Sequence, residues 1–164
     1  MFTRILVPTD FSEPSDAALE CARVVAAKFG ASLHLLHVVE APFVTGLGSE
    51  MFIAESPAVQ AELFEEAKAR LAHRAASAGN SGVKVSTEII GGTSARSIVD
   101  YANHRGMNLI VMGTHGRSGM AHLLMGSVAE KVVRNAPCPV LTVRSLGVQP
   151  ELLDTVADLV AVDA

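Results

Sequence analysis

The stretch Asn108-Leu109-Ile110-Val111-Met112-Gly113-Thr114-His115-Gly116-Arg117-Ser118-Gly119-Met120-Ala121-His122-Leu123-Leu124-Met125-Gly126-Ser127 passes from an unbroken apolar run through four glycines in fourteen residues to a helix start. The apolar run is continuous rather than alternating, as in a strand covered on both faces. Glycine puts no side chain between the main-chain N–H groups and a ligand, and it tolerates positive φ. A helix start adds unpaired amides and the positive end of the helix dipole, which together favour an anion. Gly126 and Ser127 would there meet a phosphate, with the serine hydroxyl as an extra donor. The same residues also read as a capping box, Ser127-Val128-Ala129-Glu130, in which Ser127 caps its own helix. The two readings are compatible.

The rest of the chain repeats the strand-then-helix rhythm. Residues 3–8, with Ile5-Leu6-Val7, read as a short buried strand. A helix follows, with Ser12 as N-cap, Pro14 in the first turn, Ala18, Cys21, Ala22, Val25 and Phe29 at helical spacing, and Gly30 as its stop. Residues 32–39 read as a second strand. A second helix runs from about residue 56 to 78, with Leu63, Ala67, Leu71 and Ala75 on one face, and the turn Gly79-Asn80-Ser81-Gly82 ends it. Residues 83–90 alternate only partly, which suits an edge strand. Residues 93–104 read as a helix, 108–112 as the fourth strand, 127–135 as a helix and 139–143 as the fifth strand.

Five strands alternating with four helices predict an α/β fold, a doubly wound parallel sheet with helices on both faces. The simplest order is 3-2-1-4-5, which sets strands one and four side by side at the switch point. Two segments fall outside this pattern. Residues 40–56 form a long connection with apolar content, and residues 147–164 form an acidic tail with Leu152, Val156, Leu159 and Val160 at helical spacing.

Length and composition bound the function. At 164 residues, 49% hydrophobic and a mean hydropathy of +0.36, the chain has the makings of one packed domain. No apolar run nears the ~20 residues that span a bilayer. Met1-Phe2-Thr3-Arg4 leads straight into the first strand, too short for a signal peptide, so a cytoplasmic location is expected. Cys21 and Cys138 stand far apart and read as two reduced thiols. The net charge of −4 gives no bulk attraction to nucleic acid or acidic membranes. Within that total, residues 113–144 carry a local +3 and 145–164 a local −4. A small anion finds its best field in the former.

Pro8-Thr9-Asp10-Phe11-Ser12 follows the first strand. If the order above holds, Asp10 lies beside the glycine loop. A carboxylate there can accept from ribose hydroxyls, hold a metal through water, or help cap the first helix. The histidines invite plain readings. His34 and His37 are an odd step apart on one strand and point to opposite faces, so they cannot share a metal. His73 and His104 read as solvent-facing. His115 and His122 share the glycine loop, where phosphate contact suits His115.

These residues resemble the universal stress proteins over about residues 2–144. The nucleotide-binding subgroup of that family carries G-x2-G-x9-G-[ST], matched here by Gly113, Gly116, Gly126 and Ser127. Ile5-Leu6-Val7-Pro8-Thr9-Asp10-Phe11-Ser12 is similar to the family's opening strand and loop. Leu109 to Gly116 and Ala136-Pro137-Cys138-Pro139-Val140-Leu141-Thr142-Val143 are similar to its fourth and fifth strands. The resemblance implies a Rossmann-like domain over residues 1–146 that binds ATP, or AMP or ADP. Pro8, Thr9 and Asp10 would line the adenosine, with Asp10 on the ribose, and Val38 would meet adenine through its backbone. Met112 and Gly113 would continue that wall. His115, Gly116 and Arg117 would lie along the phosphates, and Gly126, Ser127 and Val128 would close over them. Mg²⁺ would be held mostly by phosphate oxygens and water. The resemblance further implies a homodimer through the strand at 139–143. No catalytic residue is expected. The reading is of a nucleotide-binding regulator, with a slow ATP hydrolase and a nucleotide-free dimeric scaffold as the alternatives.

Overall fold

The computed structural model describes residues 2–40, 43–46, 49–52, 57–79, 82–115 and 125–144. Its elements run β1 (Arg4–Pro8), α1 (Glu13–Phe29), β2 (Ser32–Val39), β3 (Phe43–Gly46), β4 (Ser49–Phe52), α2 (Pro57–Gly79), β5 (Val85–Gly91), α3 (Ser94–His104), β6 (Leu109–Gly113), α4 (Ser127–Asn135) and β7 (Val140–Val143). Five strands form one parallel sheet in the order β5-β2-β1-β6-β7. Counted among the parallel strands alone, that is the expected 3-2-1-4-5. The half-alternating strand, β5, is an edge, and β7 is the other.

The period of two along each strand divides the core. Ile5, Val7, Leu33, Leu35, Leu109 and Val111 face α1 and α2, where they meet Ala18, Ala22, Val25, Ala67 and Leu71. Leu6, Leu36, Ile110 and Met112 face α3 and α4, against Ile98, Ala102, Ala129 and Val132. Strands β1 and β6 are apolar without interruption because both of their faces are covered. Cys21 and Cys138 are free thiols, and burial pushes the pKa of each upward.

Helix α1 ends where Gly30 enters the left-handed region at φ 65, and its N–H still reaches Ala26 C=O. Ser12 holds the N-cap position as expected, but its side chain makes no capping bond. Its hydroxyl donates instead to Asp10 Oδ1 at 2.5 Å. The apolar 40–56 connection contains structure that its composition did not reveal. Phe43–Gly46 and Ser49–Phe52 pair antiparallel, with Phe43 opposite Phe52 and Gly46 opposite Ser49. The intervening pair, Leu47-Gly48, lacks the Asn-Gly or Asp-Gly signal that marks a two-residue hairpin turn. The tail at 147–164 lies outside the described residues.

Gly113, at the end of β6, has no room for a side chain. A Cβ there would lie 2.8 Å from the Pro14 carbonyl oxygen and 2.9 Å from its carbon, both main chain. The start of α1 therefore packs directly on the end of β6. Gly113→Ala is expected to lower stability by about 1–3 kcal/mol, read as a shift of the urea midpoint without ligand. An unchanged midpoint would show that this contact is slack.

His34, on β2, has its pKa lowered by burial first and then by the positive charges of Arg4 and Arg105. The unfolded chain thus takes up this proton more readily than the folded one. The associated stability is whole above the ordinary imidazole value of about 6.5 and is lost as pH falls below it. Wild type should lose more melting temperature between pH 7.5 and 5.5 than His34→Gln does, and equal losses would contradict the assignment.

Candidate functional site

The loop after β1 is built from its own polar groups. Ser15 Oγ donates to Ser12 C=O at 2.8 Å, so the hydroxyl proton between Thr9 and Ser15, 3.0 Å apart, comes from Thr9. Thr9 Oγ1 in turn accepts the Phe11 N–H at 3.0 Å. Asp10 Oδ1 accepts both the N–H and the hydroxyl of Ser12. The sequence offered Asp10 as a helper in capping the first helix; in the structure its carboxylate holds the N-cap residue Ser12 within the loop. Phe11 sits at φ 66, a conformation that bulky residues rarely adopt. Its ring is held between His37, with centroids 4.4 Å apart, and the Arg70 and Arg74 guanidinium groups at 4.3 and 5.0 Å. Arg74 is itself fixed by two bonds to Asp16, at 2.6 and 2.9 Å.

The loop after β6 is closed at its base. Thr114, nearly buried, gives its N–H to Val143 C=O at 3.0 Å and accepts the Gly126 N–H at 2.7 Å. Thr114 Oγ1 lies 3.0 Å from His115 Nδ1. The helix beyond begins one residue earlier than a Ser127 cap requires. Gly126 is the N-cap residue, extended at φ −72 and ψ 155, and no side chain caps the helix. The expected capping box is not formed, because the Gly126 tie to Thr114 fixes the N-cap at a residue with no side chain. Glu130 pairs with Arg134 at 2.9 Å instead. The Gly126 N–H is spent within the protein. The amides that a helix leaves unpaired are then those of Ser127, Val128 and Ala129.

Between these two loops, at the carboxyl ends of β1, β2 and β6, lies a cavity of about 550 Å³. This is the switch point of the sheet, where doubly wound folds bind ligands. Ten of the twelve site residues expected from sequence line it: Pro8, Thr9, Asp10, Val38, Met112, Gly113, His115, Gly126, Ser127 and Val128. Gly116 and Arg117 lie outside the described residues. The sequence reading missed Phe11, His37 and Glu40 on the strand ends and Leu63, Glu66 and Arg70 on α2, all of which line the same cavity. A signal existed for α2: Leu63 continues its apolar stripe yet stays 38% exposed, because the stripe there overhangs the cavity rather than the sheet.

The cavity is electrically polarised. Two helix starts, those of α3 and α4, contribute to its wall. At α3 the Ser94 N–H is already taken by Glu40 Oε1 at 2.8 Å, a carboxylate supplied by the protein. At α4 the dipole faces a serine hydroxyl and first-turn amides. An anion is therefore favoured at the α4 end and opposed near Glu40. Among the described residues, no group of three or more His, Cys, Asp or Glu is placed to hold a metal ion. Nor is any helix there long and apolar enough to cross a membrane.

Thr9→Val is expected to strand the Phe11 N–H and to cost about 1–3 kcal/mol in urea unfolding, whereas Thr9→Ser keeps the hydroxyl and most of the stability. Equal effects of the two would show that the hydroxyl bonds are not what hold the loop.

Comparison with known proteins places the chain. Residues 1–144 match the model of the Universal stress protein family. Universal stress protein MJ0531 of Methanocaldococcus jannaschii is 40% identical over 148 residues, spanning 88% of this chain and 83% of that one. The solved structure of universal stress protein UspA from Lactobacillus plantarum superposes with a TM-score of 0.74 at 31% identity, covering 87% of this chain and 98% of that one. A universal stress protein from Archaeoglobus fulgidus, solved in complex with dAMP, shares the fold at 21% identity and a TM-score of 0.63, over 87% of this chain and 98% of that one.

Proposed function

The chain belongs to the universal stress protein family, and from that premise we propose that it is a regulator that binds an adenine nucleotide in the cavity at the switch point. The observation that carries this reading is the polarity of the cavity, with first-turn amides and the Ser127 hydroxyl at one end and the main chain of β2 at the other. ATP, or AMP or ADP, would lie with its phosphates on the α4 start, its ribose on Asp10 and its base against Val38. His115, Gly116 and Arg117 would follow the phosphates, and Gly113 and Met112 would form the wall between. The complete G-x2-G-x9-G-[ST] spacing supports assignment to the nucleotide-binding subgroup. The dAMP complex of the Archaeoglobus protein is a likeness of fold, and the adenine reading rests on this chain's own residues.

The donors suit a metal–nucleotide complex. Mg²⁺ would be carried by phosphate oxygens and water, as this small, strongly hydrated ion prefers. What the protein supplies is binding: hydroxyl and amide donors held by the Thr114–Gly126 tie, and the loop fixed by Thr9, Asp10 and Ser15. In such a regulator, bound nucleotide changes protein surfaces only to the extent that it favours one state over another. We further propose that residues 1–146 form the nucleotide-binding domain and 147–164 an appended tail. The β7 edge would pair with a second copy. Its four residues are only part-buried, and β6 occupies one side of the strand alone.

Ser127→Pro tests the phosphate end with little disturbance. Proline is favoured at the first helical position, and Gly126 already has the extended conformation preferred before proline. The variant should melt as wild type does yet bind ATP–Mg at least about tenfold more weakly, because it lacks one charge-facing amide and the hydroxyl. Unchanged affinity by titration calorimetry would refute the phosphate placement. Steady ATP turnover above about one per second would refute the regulator reading in favour of an enzyme.

A further inference from the structure

If a nucleotide occupies the cavity as proposed, its base end is kept open by a break in the β1–β2 ladder. Along β2, even-numbered residues turn their N–H and C=O toward β1 and odd-numbered ones toward β5. Ser32 N–H donates to Thr3 C=O and Leu36 C=O accepts from Thr9 N–H on one side; Leu33 N–H donates to Lys84 C=O and Val39 C=O accepts from Gly92 N–H on the other. Val38 therefore faces the β1 side. One more step of the parallel ladder would give Val38 N–H to Thr9 C=O and Phe11 N–H to Val38 C=O. Both partners are diverted. The Thr9 carbonyl lies 2.8 Å from His37 Nδ1, and the Phe11 N–H goes to Thr9 Oγ1 at 3.0 Å. A carbonyl can only accept, so His37 Nδ1 carries the proton. The imidazole is held in place by the Phe11 ring, and Phe11 at φ 66 turns the chain away from β2. Val38 is left lining the cavity with a donor and an acceptor side by side.

We propose that His37 is a positioning residue for base selection: by taking the Thr9 carbonyl it ends the β1–β2 ladder and leaves the Val38 N–H and C=O for the edge of an adenine. Adenine offers that pair an acceptor, N1, beside a donor, the 6-amino group. Guanine offers N1–H and O6, the reverse polarity, and leaves both main-chain groups unpaired. His37 acts through Val38 and touches no reacting atom. With the donor removed, the Thr9 carbonyl is released to pair with Val38, and the base edge closes.

The test is calorimetric titration of the full chain with ATP–Mg, GTP–Mg and tripolyphosphate, for wild type, His37→Leu and His37→Asn. His37→Leu should weaken ATP binding and lower the ATP-to-GTP preference, each by about tenfold. Tripolyphosphate, which reports the α4 end alone, should bind unchanged. His37→Asn, whose Nδ2 can replace Nδ1 as the donor to Thr9, should keep the preference. If His37→Leu does not fold, His37→Asn is compared with His37→Gln, whose amide is displaced by one methylene and should lose the preference. A folded His37→Leu or His37→Gln with the wild-type ATP-to-GTP ratio would overturn the role of His37, as would an Asn variant that loses the ratio. Wild type that binds tripolyphosphate but shows no ATP preference would overturn the base-end placement while sparing the anion end. Wild type that binds neither would overturn the nucleotide reading itself.

Discussion

The hydrogen bond from Thr9 N–H to Leu36 C=O, 2.9 Å long, is the last that β1 gives to β2. Beyond it β2 continues to Val39 on β5 alone, while the other chain turns through Thr9, Asp10 and Phe11 into α1. A shortened central strand leaves a notch in an otherwise continuous sheet. The notch opens where β1 and β6 part company with their helices on opposite faces, so its walls come from both layers. Its rigidity comes from below, where Ile5, Leu6, Val7, Ile110 and Val111 are wholly enclosed. Such a floor does not shift to suit a ligand, and selectivity then rests on the groups fixed at its rim.

Those groups are held by bonds that compete with regular secondary structure. The Thr9–Ser15–Ser12 hydroxyl chain, the Asp10 carboxylate on Ser12 and the His37 ring on Thr9 each take a main-chain or hydroxyl partner that a strand or helix cap would otherwise use. The same economy shapes the far end. Thr114 takes the Gly126 amide, which sets the helix start at Ser127 and leaves the next amides facing the cavity. Glu40, seated on Ser94, puts a negative charge at the competing helix start. A ligand that is anionic at one end only can enter in one orientation.

Much of the fold was legible because its signals are additive. The apolar runs at Ile5-Leu6-Val7 and Leu109-Ile110-Val111-Met112 are long enough to declare buried strands, and strict alternation with helices leaves few topologies. Asp10, Gly126 and Ser127 could be expected in one place because loops after parallel strands converge at one end of the sheet, and all three line the cavity there. The antiparallel pair Phe43–Gly46 and Ser49–Phe52 was hidden because the sequence between them carries no Asn-Gly or Asp-Gly signal. The span of α4 was legible, but the capping box at Ser127 does not form, because a capping box is a local pattern whereas the Gly126 tie reaches back to Thr114. Gly113 was read for what it lets approach the cavity, but its missing side chain makes room for Pro14. Arg70 and Glu66 sit on a helix far along the chain, and only packing brings them to the rim. His37 looked like an ordinary strand histidine, since nothing in sequence tells which carbonyl a ring nitrogen will find.

An amide NMR titration of the full chain with ATP–Mg follows both ends of the cavity in one experiment. The signals of Val38 and of Ser127 and Val128 should move together along a single saturating curve, while the Ala102 and Val132 amides, buried in α3 and α4 away from the cavity, stay in place. Movement at the α4 amides without Val38, or no movement at either end at millimolar nucleotide, would contradict this placement of the nucleotide.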